Sequence, residues 1–285
     1  MKGITLKNIL LLIGILLLSL ITFSKISEPQ KIIEENDLLI VSQDAKNIPL
    51  KYQKIINAVG NIMYNENDEN GNFKTAIYDC TGTHLGGGYV LTAGHCVGAS
   101  SKLTASNNCH FISGEGPFET PDIIIKTVDF GYRENAVPIM KSDCQEIIAA
   151  LKDPETGFDF AILKVSPYPA EFILPDMIRR AAMGDTISIF SHPKGDVLHW
   201  SKTCGIERIL HPDILTSIIQ HQCDTMSGSS GAAIMNALSL KIVGVHGGGL
   251  NDLDNATGMP LKTGMNYGTY VLSSPLYNEL KKLGF

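Results

Sequence analysis

The stretch Cys223-Asp224-Thr225-Met226-Ser227-Gly228-Ser229-Ser230-Gly231-Ala232-Ala233 decides how the rest of the chain is interpreted. It places Ser230 between two glycines, just after a short polar turn. Glycine lets a backbone approach a bound molecule closely, because it has no side chain. Ser230 is therefore a candidate nucleophile, and the backbone N–H groups of Gly228 and Ser230 are candidates for an oxyanion hole. Small polar turns are common, so the chain must also supply a base and a group that orients it.

Two further motifs supply those groups. The run Val-Leu-Thr-Ala-Gly-His-Cys carries His95, and the run Asp-Phe-Ala-Ile-Leu begins with Asp159. The resulting order of His, Asp, Ser differs from the Ser, Asp, His order of the α/β-hydrolases, since no acid lies between Ser230 and the last histidine, His246. The subtilisin order of Asp, His, Ser stays formally open, but that fold needs alternating strands and helices, which the hydrophobic pattern does not show. Weaker candidates for the acid are Asp129 and Asp153.

Together the Thr-Ala-Gly-His-Cys, Asp-x-Ala-Ile-Leu and Gly-x-Ser-Gly runs resemble those of the trypsin-like (chymotrypsin-fold) serine proteases. The likeness is closer to the bacterial V8-like or glutamyl endopeptidase branch. Its serine motif often reads Asp-Thr-x-x-Gly-x-Ser-Gly, and a Val-Gly-x-His-x-Gly-Gly strand follows, which here is Val243–Gly248. The resemblance covers roughly Ile55 to the C-terminus. It implies an all-β fold of two Greek-key antiparallel β-barrels, with the active site in the cleft between them.

The resemblance also implies the chemistry, that of a serine endopeptidase acting on protein or peptide substrates. His95 would act as general base, Asp159 would orient it, and Ser230 would form an acyl-enzyme that water hydrolyses. This chemistry needs no metal and no organic cofactor. Trypsin itself uses a freed amino terminus that pairs with an acid just before the serine. Since that position is the uncharged Ser229, we expect no such ion pair.

The residues expected to bind substrate are Asp224, Thr225, His246, Gly247 and Gly248. Asp224 lies where trypsin-like enzymes place the acid that binds Lys or Arg. Thr225 and His246 match positions that hold an acidic side chain in glutamyl endopeptidases, and a protonated His246 would neutralise a carboxylate. We expect cleavage after Glu or Asp in preference to a basic or small residue. The resembled strand with Gly247 and Gly248 would pair with the peptide.

The six cysteines all follow the expected leader, and an even number in an exported chain indicates disulfides. Six cysteines allow fifteen pairings. The resemblance implies Cys80–Cys96, and we expect Cys204–Cys223 around the serine loop and Cys109–Cys144 as the third bond. The alternatives are a zinc site, although no CxxC or HExxH spacing is present, and a catalytic thiol at Cys96. The histidines interpreted as surface or structural are His84, His192, His199, His211 and His221.

The rest of the sequence indicates how the chain is divided into a leader, a connecting segment and two barrels. Residues 1–24 combine two lysines with an apolar core, which predicts a cleaved signal peptide or, alternatively, a membrane anchor near the lower length limit. Residues 25–54 are charged and aperiodic, as in a propeptide, a linker or a strap along the surface. We expect the first barrel over 55–166 and the second over 176–285, with Ser142–Lys152 as a short helix or loop. The sequence also predicts a C-terminal helix, with Ser274 as its N-cap and Pro275 at its first position.

The composition argues against some classes of function. The formal net charge is −6 with no basic tract, so nucleic-acid binding is not indicated, and a membrane is implicated only through an uncleaved leader. The leader and cysteines predict a secreted or periplasmic protein. Two other functions stay open: an inactive binding module on a protease fold, and a toxin-like exported protein that acts through residues 103–152. The first would show a missing triad residue, and the second would lose its action when that segment is deleted.

Overall fold

The structure is a computed structural model that describes residues 36–67, 73–111, 123–210, 218–249 and 265–285. The expected leader, residues 1–24, lies outside the described residues, as do residues 25–35. Within the described ranges, no helix combines the length and the apolar composition needed to cross a bilayer.

Fifteen strands and two α-helices make up the described chain. In order they are β1 (Leu39–Ile40), α1 (Leu50–Gln53), β2 (Val59–Asn67), β3 (Phe73–Gly86), β4 (Tyr89–Thr92), β5 (Thr104–Ser106), β6 (His110–Phe111), β7 (Ile123–Phe130), β8 (Met140–Asp153), β9 (Phe158–Ser166), β10 (Thr186–Ser191), β11 (His199–Leu210), β12 (Ile218–His221), β13 (Ala233–Asn236), β14 (Ile242–Gly249), β15 (Asn266–Tyr270) and α2 (Ser274–Lys282).

The strands close into two antiparallel barrels. The first ring runs β2-β3-β4-β9-β8-β7, and the pairing of β7 with β8 closes it. The second runs β10-β11-β12-β15-β14-β13, and β11 with β12 closes it. Closure removes the unpaired sheet edges that would otherwise template aggregation. The expected all-β fold with two barrels and a C-terminal helix is therefore confirmed, although the cap of that helix is Ser273 and not Ser274.

The prediction of a short helix or loop over Ser142–Lys152 was wrong. This segment belongs to β8, a strand of 14 residues that pairs with β9 along most of its length. The register shifts between Cys144 and Glu146 and again between Ile147 and Ala149. Each bulge changes which face the next residue occupies, so the polar–apolar alternation that identifies a strand is lost from the sequence.

Apolar packing joins the barrels to each other and to the chain before them. One cluster combines Leu91 and Phe160 of the first barrel with Phe190 of the second, Tyr52 of α1 and Leu276 of α2, and all five are buried. Each barrel has a further apolar core of its own. The cleft between the barrels is thus held by a continuous hydrophobic cluster.

Residues 36–54, called here the 36–54 segment, pack on the second barrel. β1 pairs with β11, where Leu39 lies opposite Trp200. Tyr52 is fully buried, and its ring contacts Phe190 and Trp200 at centroid distances of 5.3 and 5.5 Å. The described part of residues 25–54 therefore contributes to the core.

Candidate active site

His95 and Asp159 meet at the end of two neighbouring strands of the first barrel. His95 opens a 3₁₀ turn just after β4, and Asp159 is the second residue of β9, which pairs with β4. The Asp159 Oδ2 atom lies 2.7 Å from His95 Nδ1, and its Oδ1 accepts the His95 backbone N–H at 2.9 Å. Two contacts to one carboxylate fix both the ring and the backbone of His95.

Asp159 is ionised although it is only 1% exposed. Burial opposes the charge, but the His95 and Lys152 side chains outweigh burial and hold the pKa of the carboxyl below its usual range. Its backbone is anchored across the cleft, because the Asp159 N–H donates to Thr269 Oγ1 at 2.7 Å and the Thr269 hydroxyl donates back to the Asp159 carbonyl at 3.1 Å. Thr269 belongs to β15, so the second barrel helps to position this acid.

The Ser230 loop has the sharp backbone that its glycines indicate. Gly228 and Gly231 have φ values of +91° and +84°, a region that favours glycine. A Cβ at Gly228 would clash with the backbone of His192 and Lys194, and one at Gly231 would clash with Thr92. Both glycines are therefore required by backbone conformation and by close packing.

The same loop docks on the part of the first barrel that carries His95. The Thr81 N–H donates to the Ser230 carbonyl, and the Thr81 hydroxyl to the Gly228 carbonyl, both at 2.8 Å. Cys96, next to His95, has its Sγ 3.8 Å from the same Ser230 carbonyl. The fold thus brings the serine motif to the strand and turn that hold the histidine motif, and Asp159 to that histidine.

Ser229, the residue before Ser230, is held by hydrogen bonds between uncharged groups. Ser229 is fully buried, and its Oγ lies 3.0 Å from the Ser191 Oγ and accepts the Met226 N–H at 3.2 Å. Its own N–H donates to the Met226 carbonyl at 2.9 Å. These contacts brace the loop at the position where trypsin has an acid.

Comparison with known proteins identifies the family. A family model for the trypsin-like peptidase domain matches residues 80–245, more than half of the chain. The chain belongs to the trypsin-like peptidases. It is a serine-type endopeptidase, as the motif resemblance implied. A search of the curated proteins found no match.

Solved structures of proteases share the peptidase's fold. A Glu endopeptidase in complex with MPD has a TM-score of 0.54 and 19% identity, covering 89% of this chain and 99% of that one. The active form of the Rv3671c protease from M. tuberculosis has a TM-score of 0.51 and 15% identity, covering 90% and 93%. At these identities the likeness supports the fold alone.

The expected substrate-binding residues of the peptidase lie on the second barrel. His246, Gly247 and Gly248 belong to β14, while Asp224 and Thr225 precede the Ser230 loop. The Asp224 carboxylate is buried and accepts the Asp37 backbone N–H at 2.7 Å. This side chain therefore holds the 36–54 segment.

His246 forms a buried pair with His221. The His221 Nε2 lies 3.3 Å from His246 Nδ1, and both rings are fully buried. Burial, aided by the nearby His95, lowers the pKa of His246 to about 3. This ring is therefore neutral in the free peptidase. Within the described part of the chain, neither His246 Nε2 nor Thr225 Oγ1 makes a hydrogen bond of good geometry.

All six cysteines of the peptidase form disulfides. The bonds are Cys80–Cys96, Cys109–Cys144 and Cys204–Cys223. Among the described residues, two groups of cysteine and histidine ligand atoms lie close enough together to hold a metal ion, one at His95 and one at His221. Their sulfurs are oxidised, so neither group offers a thiolate. The first disulfide also fixes the turn that begins at His95.

Sequence reasoning missed four residues that contact candidate site residues or the serine loop. Lys152 lies against Asp159, Thr269 against its backbone, Ser191 against Ser229, and His221 against His246. Since none belongs to a motif, these contacts become visible only in the tertiary structure. His84, expected to be structural, is buried with its Nδ1 at 2.7 Å from the Glu171 carbonyl.

Proposed function

We propose that His95, Asp159 and Ser230 are the catalytic triad of this peptidase. The 2.7 Å contact between His95 Nδ1 and Asp159 Oδ2 carries the proposal, together with the docking of the Ser230 loop beside that histidine. With Nδ1 occupied by the carboxylate, Nε2 is left to act as the base.

In the proposed mechanism, His95 takes the proton of the Ser230 hydroxyl as its Oγ attacks the substrate carbonyl carbon. The N–H groups of Gly228 and Ser230 bind the oxyanion. His95 then gives the proton to the leaving amine, which leaves an acyl-enzyme. Water enters, loses a proton to His95 and releases the acid. Asp159 keeps the ring in one tautomer and stabilises its cationic form in both steps.

The substrate preference that we propose is for Glu or Asp before the cleaved bond. When His221 Nε2–H donates to His246 Nδ1, the proton of His246 lies on Nε2. The Tyr267 backbone interacts with this ring, but Nε2 makes no hydrogen bond of good geometry within the described residues, so a substrate acceptor would improve its bonding. The Thr225 hydroxyl is a second buried donor. A substrate carboxylate that reached both groups would accept from both, and its charge would raise the pKa of His246.

A basic substrate residue before the cleaved bond is disfavoured, because the Asp224 carboxylate that would bind it already has partners. It accepts the N–H of Asp37, and Lys202 forms an ion pair with the Asp37 side chain at 2.6 Å. A lysine or arginine of the substrate would have to compete with these contacts in order to reach Asp224. The 36–54 segment therefore favours an acidic over a basic preference.

The peptide itself would be held by strand addition on β14. The pairing of β13 with β14 ends at Val245. Within the described residues, Gly247 and Gly248 continue β14 without β13 beside them, while β15 covers the opposite edge. Backbone groups at such an edge are available to an extended peptide.

Three disulfides are typical of an oxidising, extracytoplasmic compartment. The finer proposal is a secreted or periplasmic peptidase, directed there by residues 1–24. Processing of the N-terminus, read by mass spectrometry of the exported protein, tests this assignment.

The substrate preference is tested with peptides that differ only in Glu, Gln or Arg before the cleaved bond. We expect kcat/KM to be highest for Glu, at least tenfold above Gln, because one charge-assisted hydrogen bond is worth about 1.5–3 kcal/mol. Thr225→Val should reduce the Glu/Gln ratio. Thr83→Val, which alters another buried threonine whose hydroxyl makes no good hydrogen bond in the described chain, should leave it unchanged. Equal rates for Glu and Gln, or faster cleavage after Arg, would reject the preference while leaving the triad standing.

A further inference from the structure

The carboxylate of Asp159 has a cationic neighbour, Lys152, in addition to the His95 ring. Lys152 Nζ lies 3.0 Å from Asp159 Oδ2, the same oxygen that contacts His95 Nδ1 at 2.7 Å. The Lys152 side chain is 21% exposed, so solvent screens it only in part. The ammonium and the imidazole therefore lie within about 6 Å of each other, across one carboxylate oxygen.

Strand pairing accounts for this position. Lys152 of β8 and Asp159 of β9 are directly opposite each other in the register, and residues so paired project from the same face of a sheet. A tight turn joins the strands, with the Gly157 N–H donating to the Asp153 carbonyl at 2.8 Å. The Lys152 N–H also donates to the Ser100 carbonyl at 2.9 Å. The lysine is thus built into the hairpin that carries the acid.

Gly247 of β14 also lies beside this carboxylate. A Cβ on Gly247 would lie 3.5 Å from Asp159 Oδ2, but glycine has no side chain that could donate a hydrogen bond. Within the described residues, His246 of β14 also interacts electrostatically with both His95 and Asp159, and its ring is neutral.

We propose that Lys152 is a positioning residue of the triad, which holds the Asp159 carboxylate and extends activity to lower pH by opposing protonation of His95. The proposal rests on the proposed triad. The cation disfavours a second positive charge on the imidazole of the free enzyme, so more His95 stays in its basic form as the pH falls. The same ammonium fixes the carboxylate that aligns the ring, which favours the geometry needed for proton transfer.

The test uses the rate of reaction with an uncharged fluorophosphonate, followed against pH. Because the reagent is uncharged, its rate of reaction measures the reactivity of the Ser230–His95 pair and does not depend on the substrate preference. For Lys152→Met we expect the acid-side midpoint of the profile to move up by about one pH unit, and the plateau rate to fall about tenfold. Lys152→Arg should keep the midpoint. Lys152→Gln, which keeps a donor but loses the charge, should move the midpoint as Met does and retain more of the plateau rate.

Lys164→Met is the matched control, because Lys164 lies on β9, the partner strand of β8, but contacts the Gly87 carbonyl and the Tyr89 ring. It should leave midpoint and plateau unchanged. An unmoved midpoint in Lys152→Met and Lys152→Gln, with unfolding temperatures near that of the parent, would overturn the proposal. If the parent enzyme fails to react at Ser230, the triad itself fails, and this outcome is distinct from a reactive Ser230 with an unmoved midpoint.

Discussion

Replacing Tyr52 by alanine tests whether the 36–54 segment is an integral part of the folded peptidase. Its ring is fully buried and packs edge-on against Phe190 and at an angle against Trp200. Phe190 precedes Ser191, whose hydroxyl contacts the Ser229 hydroxyl in the serine loop. Loss of the ring should therefore affect the second barrel and, through β10, the loop that carries Ser230.

The size of the effect follows from the burial. An aromatic side chain buries about 150–250 Å², and its replacement by alanine in a core costs about 3–5 kcal/mol. For a chain of this size, 1 kcal/mol shifts the unfolding temperature by about 2–4 °C, so Tyr52→Ala should lower it by roughly 10 °C. Tyr52→Phe keeps the ring and removes a buried hydroxyl that makes no good hydrogen bond within the described chain. It should change the unfolding temperature by less than about 2 °C.

The assay is thermal unfolding followed by circular dichroism, together with peptide cleavage at 25 °C. Each variant is compared with the parent at equal concentration. An unfolding temperature of Tyr52→Ala within about 2 °C of the parent would refute the conclusion that this segment completes the core. Equal losses in the alanine and phenylalanine variants would show that the hydroxyl, and not the ring, carries the stability.

Three further expectations concern charge, cross-linking and pH. Asp159→Asn should lower kcat about 10⁴-fold at neutral pH, because the amide favours the wrong tautomer of His95; steady-state kinetics would show it, and a loss below tenfold would count against the triad. Replacing Cys80 and Cys96 together by serine opens a link between residues 16 apart and should reduce the free energy of unfolding by about 3 kcal/mol, which chemical denaturation measures. Burial lowers the pKa of His192 to about 4 and of His246 to about 3, so the unfolded chain binds more protons below about pH 6.5. Stability should therefore fall as the pH drops from about 6.5 to 4, by up to about 1.4 kcal/mol per unit for each histidine, and denaturation curves that do not change over this range would contradict the assignment of neutral buried rings.

The sequence predicted the fold through its motifs more than through its strand patterns. The three short runs around His95, Asp159 and Ser230 have glycine and apolar neighbours that the turns and strand ends require, so they are recognisable without knowledge of pairing. In contrast, β8 was missed over Ser142–Lys152 because two bulges break its alternation. Local periodicity fails wherever a strand bends to close a barrel.

The contacts around the proposed triad illustrate a second limit of sequence-based reasoning. Lys152 and Asp159 are seven positions apart, a spacing that carries no meaning until the two residues are known to face each other across a hairpin. The neutrality of His246 was also hidden, because burial sets its pKa, and burial is a property of packing. Sequence reasoning identified the type of each group, whereas its protonation and its partners required the tertiary structure.

The most direct test of the triad is the site of covalent labelling by a fluorophosphonate. We predict one adduct per chain by intact-protein mass spectrometry, mapped to Ser230 after digestion, with labelling slowed in His95→Ala and peptide cleavage abolished in Ser230→Ala. An adduct on another residue, or undiminished peptide cleavage by Ser230→Ala, would contradict the account.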